Sequence, residues 1–170
     1  MRCIDNFRLG ETPDVVEVAL SDEARDAALA LVRQARRTVD IVSRHLDAPL
    51  YDTAEFVAAV KALALGSHQA RIRIVLGNVE PVLRDGHRLV TLAQRLPTFI
   101  QIRVPAPQFR DFNQAFLVAD ETGFLHRQFS DRYEGSASFF APATARELLR
   151  VFEPIWETAE PDPNLRALRI

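Results

Sequence analysis

Residues 112–129 read FNQAFLVADETGFLHRQF, and this stretch decides which fold is expected. Residues 116–119 and 124–129 are two runs rich in aromatic and branched apolar side chains, which favour β-strands. The residues between them, Asp120 to Gly123, have the composition of a tight turn. The stretch therefore predicts a β-hairpin.

Upstream of the hairpin, segments typical of strands and helices alternate. In the helical segments apolar residues recur every three or four positions, and in the strands they alternate or run without interruption. Ser21, with acidic residues directly after it, is the expected N-cap of the first helix. In the third strand, Arg71 and Arg73 are expected to point outward. The predicted strands are residues 15–20, 39–42, 71–76 and 100–104. Their order predicts a largely parallel sheet with helices on its faces.

Downstream of the hairpin, residues 136–140 are a further strand candidate, and Pro142 begins a final helix. Residues 157–170 have no regular period and predict a surface tail. No repeat or linker divides the chain, so residues 1–170 are expected to form one α/β domain. Its fold would be a mixed, largely parallel β-sheet flanked by helices, with a hairpin and a helix towards the C-terminus.

The composition narrows the classes of function. The 21 basic and 23 acidic side chains give a net charge of -2, which argues against a strongly basic nucleic-acid binder. Cys3 is the only cysteine, which excludes an intrachain disulfide and favours a reducing, cytoplasmic compartment. No uninterrupted apolar run is long enough to predict a membrane span. No glycine-rich phosphate loop appears among the six glycines, so no cofactor is expected.

Residues 113–120 carry a resemblance to the phospholipase D superfamily. Its members have a His-x-Lys-x4-Asp motif on a strand that enters a hairpin, followed by a Gly-Ser-x-Asn step and a helix. In this sequence Asn113 and Ala115 stand at the His and Lys positions, and Asp120 stands at the Asp position. Residues 135–138, GSAS, resemble the second step, with Ser138 in place of the Asn. The preceding order of strands and helices also resembles one half of that fold.

The resemblance implies the scaffold of that family without its chemistry. In the family the His attacks phosphorus and the Lys neutralises the phosphoryl oxygens. The Asn113 amide is not a usable nucleophile at neutral pH, and Ala115 carries no charge. The expected protein is therefore a catalytically inactive domain that acts as a binding or regulatory module, for a phosphate-containing ligand or a partner protein. Because two copies of the motif pair in the family, one copy implies a homodimer or a partner chain.

Four residues of the degenerate motif form the candidate ligand-binding set: Asn113, Asp120, Ser136 and Ser138. Each of the last three also has a structural alternative. Asp120 can stabilise the turn through a hydrogen bond from its side chain to the nearby backbone. The two serines can likewise form hydrogen bonds with the backbone of a bend after Gly135.

Three further residues are secondary candidates. Arg127 can supply the positive charge that Ala115 lacks, or can form an ion pair with an acidic neighbour, Asp131 or Glu134. His87 lies near a predicted helix start, where it can face an anionic ligand or cap the helix.

The third, His45, shares a polar loop with Asp47 and Asp52. These atom types suit a metal ion, but loops often hold such a triplet by chance, so no metal site is predicted.

Two other functions stay open. One is a phosphodiesterase or other hydrolase with relocated catalytic residues, drawn from His45, Asp47, His87 and Asp120. It requires that these side chains converge on one pocket. The other is nucleic-acid binding in a shallow groove, which the resemblance allows and the net charge of -2 does not support.

Overall fold

The computed structural model of the chain describes residues 4–166. Cys3 and residues 167–170 of the predicted tail lie outside this range. The strands are β1 Val15–Val18, β2 Thr38–Ser43, β3 Arg71–Leu76, β4 Ile100–Arg103, β5 Ala115–Ala119, β6 Gly123–Arg127 and β7 Gly135–Ser138. The helices are α1 Ser21–Gln34, α2 Ala48–Tyr51, α3 Ala54–Gly66, α4 Glu80–Asp85, α5 Arg88–Arg95, α6 Pro142–Thr158 and α7 Pro163–Arg166, with a 3-10 turn at Pro107–Phe109. Of the helices within residues 4–166, none has the length and apolarity needed to cross a bilayer.

The strands form one mixed sheet in the order β1-β7-β6-β5-β2-β3-β4. This confirms the predicted α/β class and the hairpin, with one correction. The pairs β2-β3 and β3-β4 are parallel and the other four pairs are antiparallel, so parallel pairing is less extensive than predicted. The reason is the position of β1, which pairs with β7 at the far edge while the three later strands β5, β6 and β7 lie between it and β2. Local composition gives no information about which strands become neighbours.

Helices cover the two faces of the sheet unequally. α1, α3 and α5 pack on one face over the larger apolar core. On the other face α6 is the one helix of residues 4–166 that packs on the sheet, and Phe109 and Phe112 pack beside it. Phe152 and Trp156 of α6 share a cluster there with the sheet residues Val42, Phe116 and Phe124. α1 begins at Ser21, so Leu20 is its N-cap residue, and Glu23 accepts hydrogen bonds from the Ala19 and Leu20 N–H groups.

Arg73 does not point into solvent as predicted. Its side chain lies on the sheet face opposite Ile72 and Ile74, but α6 covers that face, and the residue is only 6% exposed. Its Nε donates to Asp40 Oδ1 at 2.7 Å, and its two terminal nitrogens donate to the Glu153 carboxylate at 2.8 and 3.1 Å. A buried ion triad therefore joins β2, β3 and α6.

The residues predicted as a surface tail hold fixed contacts as far as residue 166. Glu160 forms a β-bridge with Val104, with N···O distances of 2.7 and 3.0 Å. Leu165 is buried, and its carbonyl accepts a hydrogen bond from Gln94 Nε2 at 2.8 Å. The segment thereby lies along the open edge of β4, where unpaired backbone groups and apolar side chains are available to it.

Candidate ligand-binding site

Chemistry-bearing side chains collect at one end of the sheet, where β2, β3 and β6 finish and β5 and β7 begin. The register places Ala115 opposite Arg127, and Arg127 opposite Gly135, at this end. We call it the polar end, and define it by Arg44, Asp47, Arg110, Asn113, Gln114, His126, Arg127, Ser130 and Ser136.

Asn113, at the His position of the motif, is exposed and tied to its neighbours. Its Oδ1 accepts from Ser130 Oγ at 2.5 Å and from a terminal nitrogen of Arg44 at 3.3 Å. Its main-chain carbonyl accepts from the Ser130 N–H at 2.7 Å. The side chain is therefore held by hydrogen bonds that use its oxygen, which leaves the amide NH2 as a donor.

Ala115, at the Lys position, is buried and faces Arg127 across the β5-β6 pair. Directly opposite residues in an antiparallel pair share a face, so Arg127 lies where a lysine at position 115 would extend. Arg127 is 2% exposed, forms a short ion pair with Asp47, and donates to the Arg132 carbonyl at 2.9 Å. An ion pair is thus its observed use, and its partner is Asp47 rather than the neighbours Asp131 or Glu134.

Two tyrosines lie near this ion pair. The Arg127 guanidinium lies 5.4 Å from the centre of the Tyr133 ring, a cation–π distance. Burial, helped by the Asp47 carboxylate, raises the pKa of the Tyr133 phenol. Burial likewise raises the pKa of Tyr51, which is fully buried and feels both charges of the ion pair. These phenols therefore stay neutral and fill space around the pair.

Ser136 belongs to the polar end, on the face that carries α6. It lies opposite His126 across the β6-β7 pair and is half-buried. The His126 Nε2 is 2.9 Å from Gln114 Oε1, and burial lowers the pKa of this imidazole. Gln114, His126 and Ser136 thus form a neutral polar row.

Asp120 lies at the other end of β5. Seven residues of extended chain separate it from Asn113, a span of roughly 20 Å. Its carboxylate accepts from the N–H groups of Arg36, Arg37 and Thr38 at 2.8, 2.8 and 3.0 Å. Asp120 therefore joins the hairpin turn to the corner between α1 and β2.

Ser138 also lies away from the polar end. It is fully buried opposite Phe124 and Val15, and its Oγ accepts from the Phe140 N–H at 3.3 Å. Of the four motif residues, Asn113 and Ser136 are at the polar end, while Asp120 and Ser138 are not. The reason is strand geometry: Asn113 and Asp120 flank β5 at opposite ends, and Ser136 and Ser138 lie towards opposite ends of β7.

His87 is buried and caps α5. Its Nδ1 accepts from the Leu89 N–H at 3.1 Å, so its Nε2 carries the proton and donates to the Leu46 carbonyl at 2.9 Å. Burial lowers the pKa of His87. Of the two roles expected for His87, the contacts of its side chain are those of a helix cap.

The residues required by a relocated active site do not all converge, although His87 lies against the 45–47 segment through its hydrogen bond to the Leu46 carbonyl. His45 is exposed, Asp47 is paired with Arg127, and His87 is used as the cap of α5. Asp52, the third member of the polar loop triplet, accepts from the Arg88 N–H at 2.9 Å. Asp120 lies at the opposite end of the sheet. Across residues 4–166, no three side chains of His, Cys, Asp or Glu are grouped so that they could hold a metal ion.

Two arginines line a small cavity at the polar end. Arg44 and Arg110 are both exposed at a cavity of about 20 Å³, which Gly77, Phe112 and Gln114 also line. Gly77 permits this approach, since a Cβ there would lie 3.2 Å from the Arg44 Cα. Within the described residues neither guanidinium has a carboxylate at ion-pair distance. In the sequence, Arg44 is a recognisable candidate because it directly follows a buried strand, whereas no pattern marks Arg110.

Comparison with known proteins identifies the family of the chain. The family model of a domain of unknown function, DUF7931, matches residues 20–168. The chain belongs to the DUF7931 family. No curated protein matches it at a significant level.

Solved structures of other proteins share the fold of this DUF7931 chain. Nuc from Salmonella typhimurium, a phospholipase D family member, has a TM-score of 0.63 at 12% identity, over 88% of this chain and 98% of that one. NucT from Helicobacter pylori has a TM-score of 0.61 at 14% identity, over 88% and 99%.

A third structure, TrmBL2, is an archaeal chromatin protein described as showing a novel mode of DNA binding. Its TM-score is 0.60 at 15% identity, over 87% of this chain and 54% of that one, so the DUF7931 chain spans about half its length. At these identities the likeness concerns the fold alone. The phospholipase-D-like fold expected from residues 113–138 is confirmed.

Proposed function

We propose that this chain is a non-catalytic phospholipase-D-like domain that binds a phosphate-containing ligand at its polar end. One observation carries the proposal. Arg44 and Arg110 line the same cavity beside Asn113, and within residues 4–166 neither is neutralised by a carboxylate. Arginine presents a planar fork of donors that matches phosphate oxygens.

The position of this cavity supports the proposal. It lies at the carboxyl ends of the parallel strands β2 and β3, where ligands of open α/β sheets commonly bind. The cavity of about 20 Å³ holds little more than a water molecule, so the ligand would lie across its mouth. There it would meet both guanidinium groups and the free donor of the Asn113 amide.

The absence of catalysis is proposed on the same geometry. Asn113 replaces the nucleophile, and Ala115 replaces the cation that would stabilise the phosphoryl charge. Arg127 lies close to the missing cation, but Asp47 already neutralises it. Removing one such stabilising group typically costs about a hundredfold in rate or more.

The binding proposal is tested with an arginine pair and a matched control. Inorganic phosphate and a chromogenic phosphodiester would be titrated into the protein at low salt and followed by NMR. The Arg44→Gln/Arg110→Gln variant is expected to bind at least tenfold more weakly than the Arg146→Gln/Arg150→Gln variant, which removes the same charge from exposed positions of α6. Equal affinity in the two variants would reject the polar end as the binding site.

Catalysis needs its own assay. The chromogenic diester and a DNA substrate would be incubated with the purified chain, with and without chelator, beside an Asn113→Ala variant. We expect no turnover above buffer. Turnover that disappears in the Asn113 variant would reveal a working site and contradict the non-catalytic proposal.

Weak DNA retention at low salt is expected too, because the net charge of -2 gives little attraction for a phosphate backbone.

We also propose that two copies of the chain associate. The match to 98% of the Nuc chain indicates that this chain is one copy of the fold. Near the β1-β7 edge, Val15 and Phe140 are 57% and 39% exposed, and α6 covers that face alone. Sedimentation equilibrium at micromolar concentration should give the mass of a dimer, and a monomer throughout would contradict this.

That residues 1–170 form one domain and that the protein is cytoplasmic remain predictions.

A further inference from the structure

A second basic hollow lies at the end of the sheet opposite the polar end, and the proposed function does not use it. Its volume is about 500 Å³. We call it the arginine corner, and define it by the lining residues Arg8, Leu9, Glu11, Arg33, Gln34, Ala35, Arg36 and Asp120. It is formed by the N-terminal segment, the end of α1 and the hairpin turn.

Internal hydrogen bonds hold the backbone of this corner. The Asp120 carboxylate accepts from the N–H groups of Arg36, Arg37 and Thr38, which fixes the chain after α1. Gln34 Oε1 accepts from the Leu9 N–H at 2.8 Å, and Gln34 Nε2 donates to the Phe7 carbonyl at 3.0 Å.

Arg8 is fixed in the same way, since its N–H donates to Thr12 Oγ1 at 2.8 Å. The backbones that carry Arg8 and Arg36 are thus placed before any ligand arrives, which lowers the ordering cost of binding.

The three guanidinium groups have no described carboxylate partner. Arg8, Arg33 and Arg36 are all exposed, and the ion pairs within residues 4–166 do not include them. Other surface arginines of the same chain are paired: Arg25 with Asp26, Arg84 with Asp85 and Arg88 with Asp52.

Opposing charges in the corner are limited. Both oxygens of Asp120 accept hydrogen bonds from the backbone, which leaves Glu11 as the other lining carboxylate. The end of α1 adds a negative pole equivalent to roughly half an elementary charge. Against the three guanidinium groups stand the Asp120 and Glu11 carboxylates and this pole, which leaves a positive excess of roughly half an elementary charge, so the hollow favours an anion.

We propose that the arginine corner binds a small phosphate-bearing anion. Three arginines around one hollow can contact several phosphate oxygens at once, which a single surface arginine cannot do. A volume of about 500 Å³ lies within the range of small-molecule sites. Leu9 and Ala35 also line the hollow, and its limited volume suits a compact molecule better than a polymer.

Pyrophosphate is the probe for this site. Calorimetry and NMR at low salt should show saturable binding that shifts the amide signals of residues 8–12 and 33–37. The Arg33→Gln/Arg36→Gln variant should bind at least tenfold more weakly than the Arg146→Gln/Arg150→Gln control. The Glu11→Gln variant should bind more tightly, because it removes the opposing carboxylate.

The outcomes separate this site from the polar end. The Arg44→Gln/Arg110→Gln variant should keep the pyrophosphate shifts at residues 33–37. If the Arg33/Arg36 variant binds like the α6 control, or wild type shows no saturable binding at these residues, the proposal is overturned. A 20-nucleotide single strand that shifts these signals while pyrophosphate does not would overturn it too. Thermal unfolding without ligand should be the same for all variants, which shows that each is folded.

Discussion

Asp120 stabilises the backbone that follows α1 from its place in the hairpin turn. Its φ of 51° lies in the left-handed region, as does the φ of Glu121 at 59°. The Thr122 N–H donates to the Ala119 carbonyl at 3.1 Å across these two residues, which makes a tight hairpin turn. This turn aims the Asp120 carboxylate at the three N–H groups after α1, about 80 residues earlier in the chain.

Removing this carboxylate should destabilise the chain. Asp120→Ala leaves three N–H groups without their acceptor and puts an alanine in a left-handed position, so a loss of about 2–3 kcal/mol in the free energy of unfolding is expected. Asp120→Asn keeps one acceptor and tolerates the same φ, so its loss should be smaller. Urea unfolding measures both. Equal stability of wild type and Asp120→Ala would show that the corner does not depend on this side chain.

At the polar end, single residues also decide what chemistry is present. Asn113 and Ala115 lack the imidazole and the ammonium group of the His-x-Lys-x4-Asp motif. The nearby cation, Arg127, is neutralised by Asp47. The charge available to a ligand comes instead from Arg44 and Arg110, which lie outside the motif. The proposed binding at this end therefore draws its positive charge from outside the motif, and Asn113 is the motif residue that would add a hydrogen-bond donor.

At the scale of elements, α6 depends on the buried ion triad as well as on apolar packing. The Arg73 guanidinium lies 4.6 Å from the centre of the Phe152 ring, and Arg103 lies 4.1 Å from the Trp156 ring. Phe152 and Trp156 stack at 5.7 Å. The Oδ2 of Asp40 is buried and, within residues 4–166, has no hydrogen-bond partner, and burial raises the pKa of this carboxyl. Asp40 therefore relies on Arg73 for its charge balance.

Breaking the triad should be costly, and replacing it whole should not. Arg73→Met leaves Asp40 buried without its cation, and a loss of about 3–5 kcal/mol is expected. Asp40→Leu/Arg73→Met removes both buried charges and should recover most of that loss. Arg71→Met, at an exposed position of the same strand, is the matched control and should change stability by less than about 0.5 kcal/mol.

Urea unfolding followed by the fluorescence of Trp156, the only tryptophan, measures these variants. A double variant less stable than Arg73→Met alone would show that apolar residues cannot substitute for the ion pair here. The coupling assigned to Asp40 and Arg73 would then be wrong.

At the scale of the whole molecule, two histidines link folding to pH. His87 and His126 are both buried or half-buried, and burial lowers the pKa of each. At about pH 7.5 and above, both are largely neutral in the folded and the unfolded chain, so they add little pH dependence there. As the pH falls below that value, the unfolded chain takes up protons that the folded chain does not, and stability declines.

We therefore expect the free energy of unfolding to fall between about pH 7 and pH 5.5. His87→Asn keeps an N-cap acceptor and removes the titration, so it should weaken this decline, whereas substitution of the exposed His68 by Asn should not. Glu153, whose pKa is lowered by its hydrogen bond to Arg73, adds a separate loss of stability below about pH 4.5. Identical slopes for wild type and His87→Asn between pH 7 and 5.5 would contradict the role of His87.

The fold could be predicted from the sequence to a large extent, because its elements follow local rules. The hairpin around residues 120–123, the strand at residues 71–76 and the helix that begins at Pro142 all follow from apolar periodicity and turn residues. The motif spacing from Asn113 to Asp120 indicated the phospholipase-D-like scaffold. That Asn113 and Ala115 stand at the His and Lys positions of the motif, so that its nucleophile and cation are missing, remains a prediction from the sequence.

The tertiary structure alone decided which residues meet. Nothing local states that β1 pairs with β7, that α6 covers Arg73, or that Arg127 finds Asp47, a partner 80 positions away. The candidate site changed for the same reason: Asn113 and Asp120 belong to one short motif, yet an extended strand carries them to opposite ends of the sheet. Periodicity records how each segment meets its own surroundings, whereas contacts between distant segments depend on how the whole chain packs.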